Sequence, residues 1–315
     1  MSKVAIIGTG FIGRAWSISF ARAGSQVALW DQADGAAEKA IAHIASALDD
    51  LLANDLLNGQ QPAQILERLE VHPAMEDALA GVQHVQENTP EVLETKIKIF
   101  AELDALAPQD AVIASSTSAL LPSSFTKDLK GRGRCLVVHP INPPYLIPAA
   151  EVVPAPWTTE ETVSRTRDFL IAAGHAPLVM RKELDGFIMN RLQGALLEEA
   201  FRLVADGYAS VEDVDVGLRD GLALRWSFMG PFETIDLNAP GGIRDYAERY
   251  QGLYENIFSQ MQQRVDWSGP VMDQIEPQRR SRVTTQALPQ RQLWRDKRLM
   301  ALAAHKRKAA KDLGD

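Results

Sequence analysis

Only one of the 315 residues is cysteine, Cys135, so no internal disulfide can form and stability must come from apolar packing. That thiol is expected to be buried and structural. No apolar run reaches the ~18 residues that a membrane helix requires. The apolar start, Val4 to Ile12, is interrupted by Gly8 and Gly10 and does not read as a secretory leader. Positive charge is also in deficit, with 33 Lys and Arg against 41 Asp and Glu for a formal charge of -8, which argues against nucleic acid or an anionic membrane as partner. Internal repeats and low-complexity segments are missing too. What remains is a cytoplasmic protein acting on a small molecule. Its 46% hydrophobic and 23% charged content is ordinary for a globular chain, and its length suits about two domains.

The chain opens on a βαβ pattern: a β-branched run at Val4 to Ile7, a helix over Phe11 to Ala23 and a strand at Gln26 to Trp30. A long helix over Gly35 to Leu57, ended by Asn58-Gly59, pairs with a second over Pro62 to Leu69. Strands then recur at Val82 to Gln86, Ala111 to Ala114, Cys135 to His139, Ala150 to Val153 and Leu178 to Met180. This alternation predicts an α/β fold, a doubly wound, mostly parallel sheet of Rossmann type over residues 1–184. After Asp185-Gly186 strand signals stop. Residues 185–315 read as an all-helical domain, with helices at Phe187 to Ala205, Val211 to Leu218 and Tyr246 to Val265. The basic tail, Arg279 to Lys311, reads as a solvated helical face or a clamp on another subunit.

Gly8-Thr9-Gly10-Phe11-Ile12-Gly13 matches the G-x-G-x-x-G spacing, and its place between a strand and a helix gives it force. There Gly8 makes the tight turn, Gly10 admits a pyrophosphate and Gly13 lets helix and strand pack closely. Asp31 ends the next strand, 18 residues beyond Gly13, where a carboxylate can accept from ribose hydroxyls and would repel a 2'-phosphate. NAD is therefore the expected cofactor. Thr89-Pro90-Glu91 reads as a helix start with Thr89 as N-cap, Glu91 complementing the dipole and Lys96 on a solvated face.

His139 stands at the carboxyl end of a strand, the edge where such sheets bind ligands. The chain returns through Glu151, and if the two strands are neighbours a carboxylate can fix one imidazole nitrogen while the other exchanges a proton with an alcohol. Ser118, past the strand Ala111 to Ala114, either bonds the substrate oxygen or caps a helix. Asn190, an amide within a helix, needs a reason to be there. No G-x-S-x-G elbow supports a hydrolase triad.

Gly8-Thr-Gly-Phe-Ile-Gly, Ser116-Thr-Ser118, His139-Pro-Ile-Asn-Pro, Glu151, Gly186-Phe-Ile-Met-Asn190-Arg and Met229-Gly-Pro-Phe-Glu together resemble the L-3-hydroxyacyl-CoA dehydrogenase superfamily. Asp220-Gly-Leu-Ala-Leu-Arg225-Trp, Phe228 to Ala239 and Trp294-Arg-Asp are similar to its λ-crystallin and L-gulonate 3-dehydrogenase branch. The resemblance implies His139 as general acid/base with Glu151 as partner, Ser118 and Asn190 on the substrate oxygen, and Phe11, Ile12, Glu91 and Lys96 beside the cofactor. It also places Asn142 in the site and implies a homodimer through the helical domain.

The residues between 41 and 95 bear on the substrate. Arg68 is their only Lys or Arg, against ten acids, so a phosphate-bearing CoA handle meets repulsion. In the branch, Arg225 faces the substrate, where a guanidinium can clamp a free carboxylate. The expected activity is oxidation of the 3-hydroxyl of a small free acid, L-gulonate first. The alternatives are carnitine, for which Trp226 offers a π-face, a 3-hydroxyacyl-CoA, or a crystallin-like structural role.

Overall fold

The β-branched run at the start forms strand β1 (Lys3–Ile7), and α1 (Phe11–Arg22) follows as soon as the glycines allow the chain to turn. Residues 2–314 are described, in a computed structural model. From β1 the chain runs through β2 (Gln26–Trp30), α2 (Ala36–Ala53), α3 (Pro62–Leu66), β3 (Leu69–Val71), α4 (Met75–Leu79), β4 (His84–Glu87), α5 (Leu93–Leu106) and β5 (Val112–Ser115). It continues with α6 (Pro122–Thr126), β6 (Cys135–Pro140), β7 (Ala149–Pro154), α7 (Glu160–Ala172) and β8 (Ala176–Val179).

The eight strands form one sheet in the order β3-β2-β1-β4-β5-β6-β7-β8. All neighbouring pairs are parallel except β6 and β7. The order reverses between β1 and β4, which opens a crevice at their carboxyl ends. Helices cover both faces, so β4, β5 and β6 are buried throughout, as central parallel strands must be. One core gathers Val4, Ile6, Trp16, Phe20 and Leu48, and the other gathers Ile7, Phe100, Ile113, Cys135 and Phe187. Cys135 is buried, and burial pushes its thiol up to about 12.

Local differences from the sequence reading have simple causes. The second hairpin helix stops at Leu66, because Leu69–Val71 is claimed by the free edge of β2; this strand and α4 are not visible as periodic runs. The first hairpin helix stops at Ala53, and Asp55 and Asn58 then take positive φ, 54° each, to turn the chain. Thr89 is not an N-cap: α5 begins at Leu93, and the Thr89 hydroxyl is committed to Glu87 at 2.5 Å. Nor does Ser118 cap a helix, since α6 starts at Pro122 after Leu121.

Two units separate by their internal contacts: the sheet domain to Met189, joined again by the chain from Arg295 onward, and Asn190–Trp294. The sequence reading places the tail with the helical domain. Instead, the last helix from Arg295 packs Leu299, Met300 and Ala303 on the sheet domain's core, Arg307 donates to Asp55 at 2.6 Å, and Lys297 lies 3.9 Å from Asp50. Basic tail thus meets acidic hairpin in the same chain.

The second unit is helical: α8 (Met189–Ala205, which starts one residue earlier), α9 (Val211–Val216), α10 (Ala223–Trp226), α11 (Pro231–Asp236), α12 (Gly242–Met261), α13 (Pro270–Arg282) and the start of α14 (Leu288–Leu313). A π-helical turn, Gly217–Leu222, joins α9 to α10. Phe201 stacks on Trp267 at 4.7 Å, and Arg202 is held by Glu199 and Asp206. Large apolar side chains remain uncovered, among them Leu224, Phe228, Phe232 and Leu237.

Candidate active site

Each glycine of the loop after β1 has its own steric reason. Gly8 sits at φ +87°, and a Cβ there would lie 2.9 Å from the Asn88 carbonyl. A Cβ on Gly13 would lie 2.0 Å from the Gly8 oxygen, so nothing larger lets α1 close on β1. A Cβ on Gly10 would meet no protein atom within 4 Å beyond its chain neighbours, which leaves room for a diphosphate at the start of α1. Asp31, at the end of β2, accepts from the Thr9 amide at 2.6 Å, the Thr9 hydroxyl at 2.8 Å and Ala33 N–H at 3.0 Å. It therefore braces the glycine loop from the end of β2. Phe11 is exposed at the rim, with the Arg14 guanidinium 4.4 Å from its ring centre. The pattern fits a dinucleotide.

The antiparallel register of β6 and β7 sets His139 opposite Glu151. Both are buried, and His139 Nδ1 lies 2.6 Å from Glu151 Oε2. A carboxylate can only accept, so Nδ1 carries the hydrogen and Nε2 is left for exchange. The other oxygen, Oε1, accepts Ile188 N–H at 2.6 Å and Met189 N–H at 2.8 Å. Burial alone would raise the Glu151 carboxyl, but the bond from His139, the two amides and the imidazole charge outweigh it and hold the group below its usual range. The Phe187 ring closes the back of the site, 5.5 Å from the His139 ring.

A cavity of about 330 Å³ opens at this edge of the sheet. Of the residues singled out from sequence as candidates for the site, it brings together Ile12, Glu91, Lys96, Ser118, His139 and Asn142; Thr89, Ser116 and Pro140, which the sequence motifs contain without a role in the site, line it too, and Asn88 is new. Lys96 is not on a solvated face: it is 1% exposed, and its ammonium bonds both Glu87 oxygens at 2.8 and 2.9 Å and the Thr89 carbonyl at 2.9 Å. Its three hydrogens are thereby committed within the protein. Glu91 lies ahead of α5 and accepts from the Thr117 hydroxyl, Ser118 N–H at 3.0 Å and Ala119 N–H at 3.1 Å, so it shapes the loop that carries Ser118. Asn190 and Arg225 belong to the second unit, both half-buried, on α8 and α10.

Glu87, Gln86 and Asn88 have no role in the sequence reading, and Ser116 figures there only within the Ser116-Thr-Ser118 string. The available signal was His84-Val85-Gln86-Glu87: three polar side chains in a strand with a core position need partners, and partners in a crevice wall belong to a site. Among the described residues, no group of three or more His, Cys, Asp or Glu could hold a metal ion, and no helix is long and apolar enough to cross a membrane.

Residues 3–184 match the NAD binding domain of 3-hydroxyacyl-CoA dehydrogenase, and residues 186–269 match its C-terminal domain. The chain is 37% identical over 309 residues to λ-crystallin of Oryctolagus cuniculus, covering 96% of each. It is 39% identical over 249 residues to L-carnitine dehydrogenase of Streptomyces griseus, covering 79% of this chain and 73% of that one. Among solved structures it resembles 5-formyl-3-hydroxy-2-methylpyridine 4-carboxylic acid 5-dehydrogenase, an NAD⁺-dependent dismutase, with a TM-score of 0.82, 27% identity and 98% of each chain covered.

Proposed function

Because the chain belongs to the 3-hydroxyacyl-CoA dehydrogenase family and its cofactor is NAD, we propose that it oxidises the 3-hydroxyl of a small free hydroxy carboxylic acid, with L-gulonate the first candidate. The observation that carries this reading is the buried His139–Glu151 pair at 2.6 Å, with His139 lining the cavity at the dinucleotide edge. Bound NAD supplies the hydride acceptor. His139 Nε2 takes the hydroxyl proton as hydride leaves carbon, while Glu151 keeps the ring oriented and compensates the charge it gains. By likeness to the family, Ser118 and Asn190 hold the substrate oxygen, Asn142 lines the same site, and Arg225 takes the substrate carboxylate.

A free acid is favoured over a CoA ester by the charge of residues 41–95, acidic even with Lys297 and Arg307 of the tail against Asp50 and Asp55. Their one cation, Arg68, is spent on the Ala21 carbonyl at 2.9 Å and Gln60 at 2.6 Å. Two of the similar proteins, by name, act on carnitine and on a pyridine carboxylic acid, both free acids. Carnitine is the second reading, on the strength of that relative and of Trp226 beside Arg225.

NAD reduction measured across gulonate, carnitine, 3-hydroxybutyrate and 3-hydroxybutyryl-CoA tests the proposal. Turnover of a free acid is expected. Turnover of the CoA ester alone would overturn it, and NADH binding with no turnover of any would favour a crystallin-like structural role.

We also propose a homodimer through the second unit. Phe228 and Phe232 are 73% and 75% exposed, while the buried apolar side chains of this unit are few. Some hundred residues cannot hold together on so small a core, and a second copy of the same face is the covering at hand. Light scattering at micromolar concentration should give twice the chain mass; an active monomer would contradict it.

A further inference from the structure

Asn88 and Ser116, at the ends of β4 and β5, line the cavity with side chains whose orientation is dictated from behind the sheet. The direction of each bond can be worked out from groups that only donate or only accept. Trp16 Nε1–H, a donor only, gives to Ser116 Oγ at 3.0 Å. Gln86 Nε2 gives to the same oxygen at 2.7 Å and faces the Val138 carbonyl at 3.4 Å, so its nitrogen cannot trade places with its oxygen. With both lone pairs filled, Ser116 must donate, and it does, to Asn88 Oδ1 at 2.8 Å. The Asn88 nitrogen faces two carbonyls, of Gln86 at 2.8 Å and Ile7 at 3.4 Å, and is equally locked. At the far end Gln86 Oε1 can only accept, which places the hydrogen of His84 on Nε2, 3.0 Å away. His84 Nδ1 is then a bare, buried lone pair with no partner, and burial lowers this histidine to about 4, so it stays neutral and the chain keeps one direction.

The side chain of Asn88 thus has one uncommitted capacity, the second lone pair of Oδ1. We propose that Asn88 is a cofactor-binding residue for the nicotinamide half of NAD, accepting a hydrogen bond from a hydroxyl or amide donor there, and that Gln86 is a positioning residue which acts through Ser116. The nicotinamide half is indicated because Asn88 shares its cavity with His139, Ser118 and Asn142. Two donors are available in that half, the ribose hydroxyls and the carboxamide. Gln86 touches neither; it decides that Asn88 offers an acceptor.

The test is equilibrium binding of NADH, ADP-ribose and ADP by calorimetry, with no hydroxy acid present, so a wrong substrate assignment leaves it intact. Asn88→Ala should weaken NADH binding about 10-fold and leave ADP unchanged. ADP-ribose will follow NADH if the donor is the ribose and ADP if it is the carboxamide, and either supports the proposal. Gln86→Leu should weaken NADH several-fold alone but less than 2-fold in the Asn88→Ala background, since its effect runs through Asn88. Should Gln86→Leu fail to fold, Ser116→Ala takes its place in the same cycle. NADH affinity within 2-fold of wild type in Asn88→Ala, equal weakening of ADP, or additive effects of the two substitutions would overturn it.

Discussion

Glu151 joins the imidazole of His139 to the backbone of Met189: one carboxylate oxygen takes the Nδ1 hydrogen at 2.6 Å, and the other takes the Met189 amide at 2.8 Å. One buried charge therefore sets the tautomer and holds the start of α8. The two roles separate on substitution. Glu151→Gln can keep its oxygen on the amides, but its NH₂ then faces Nδ1 and drives the imidazole hydrogen to Nε2, so kcat should fall ~100-fold or more with modest loss of stability. Glu151→Ala should lose turnover and also about 3 kcal/mol in urea unfolding. Turnover within threefold of wild type in the Gln variant would remove the pair from the mechanism.

His84 and His175 are both buried, and burial lowers each to about 4. A histidine held neutral in the fold binds its proton more readily when unfolded. Stability is therefore full above the ordinary value near 6.5 and falls as pH drops toward 4, by roughly 2 kcal/mol per histidine at pH 5. Glu151 acts in a lower window, because its stabilisation is complete above the ordinary carboxylate value and is lost only as pH falls through its depressed one. Urea unfolding at pH 7.5 and pH 5 checks this. His175→Asn, which can keep a donor for the Pro148 carbonyl, should shrink the drop; an unchanged drop would exclude His175 as a source.

What could be read from the sequence follows its range of interaction. The glycine loop and Asp31 were legible because one short stretch, Gly8 to Asp31, carries the whole device. His139 and Glu151 were legible because a tight proline loop returns the chain as an antiparallel neighbour. The Lys96–Glu87 pair was not, since helical spacing makes Lys96 look solvated until β4 and α5 are placed together. Nor was the Gln86–Ser116–Asn88 chain, whose members come from the ends of two adjacent strands. The tail was ambiguous for the same reason: its charge pattern names an acidic surface but not which one.

Lys96 and Glu87 are 1% and 0% exposed at 2.8 Å, so removing one strands the other. Lys96→Met should cost about 3–5 kcal/mol in chemical denaturation, and adding Glu87→Gln should recover part of it, because the stranded charge is then gone. Failure of the second substitution to recover any stability would mean that the packing of Lys96, not its charge, is what matters.

We propose that Asp31 sets cofactor choice. A 2'-phosphate would meet its carboxylate, so kcat/KM with NAD should exceed that with NADP by at least ~10-fold, equivalent to ~1.4 kcal/mol. Asp31→Ser should narrow the ratio, at some cost in stability, because Thr9 and Ala33 lose their acceptor. Equal use of both cofactors by the wild type would refute this role.

The proposed carboxylate clamp, Arg225, would distinguish a free acid from a thioester. A charge-assisted, bidentate contact to a carboxylate contributes roughly 1.5–3 kcal/mol, and a thioester has no charge to meet it. Arg225→Met should therefore lower kcat/KM for the free acid ~10- to 100-fold, chiefly through KM if the contact is equally strong in the ground and transition states. Arg225→Lys should recover only part of this, since a point charge does not reproduce the planar fork. NADH affinity should not move, because the clamp is assigned to the substrate carboxylate and not to the dinucleotide. Wild-type kinetics in Arg225→Met on every acid tried would discard the carboxylate clamp and return weight to the acyl-CoA reading.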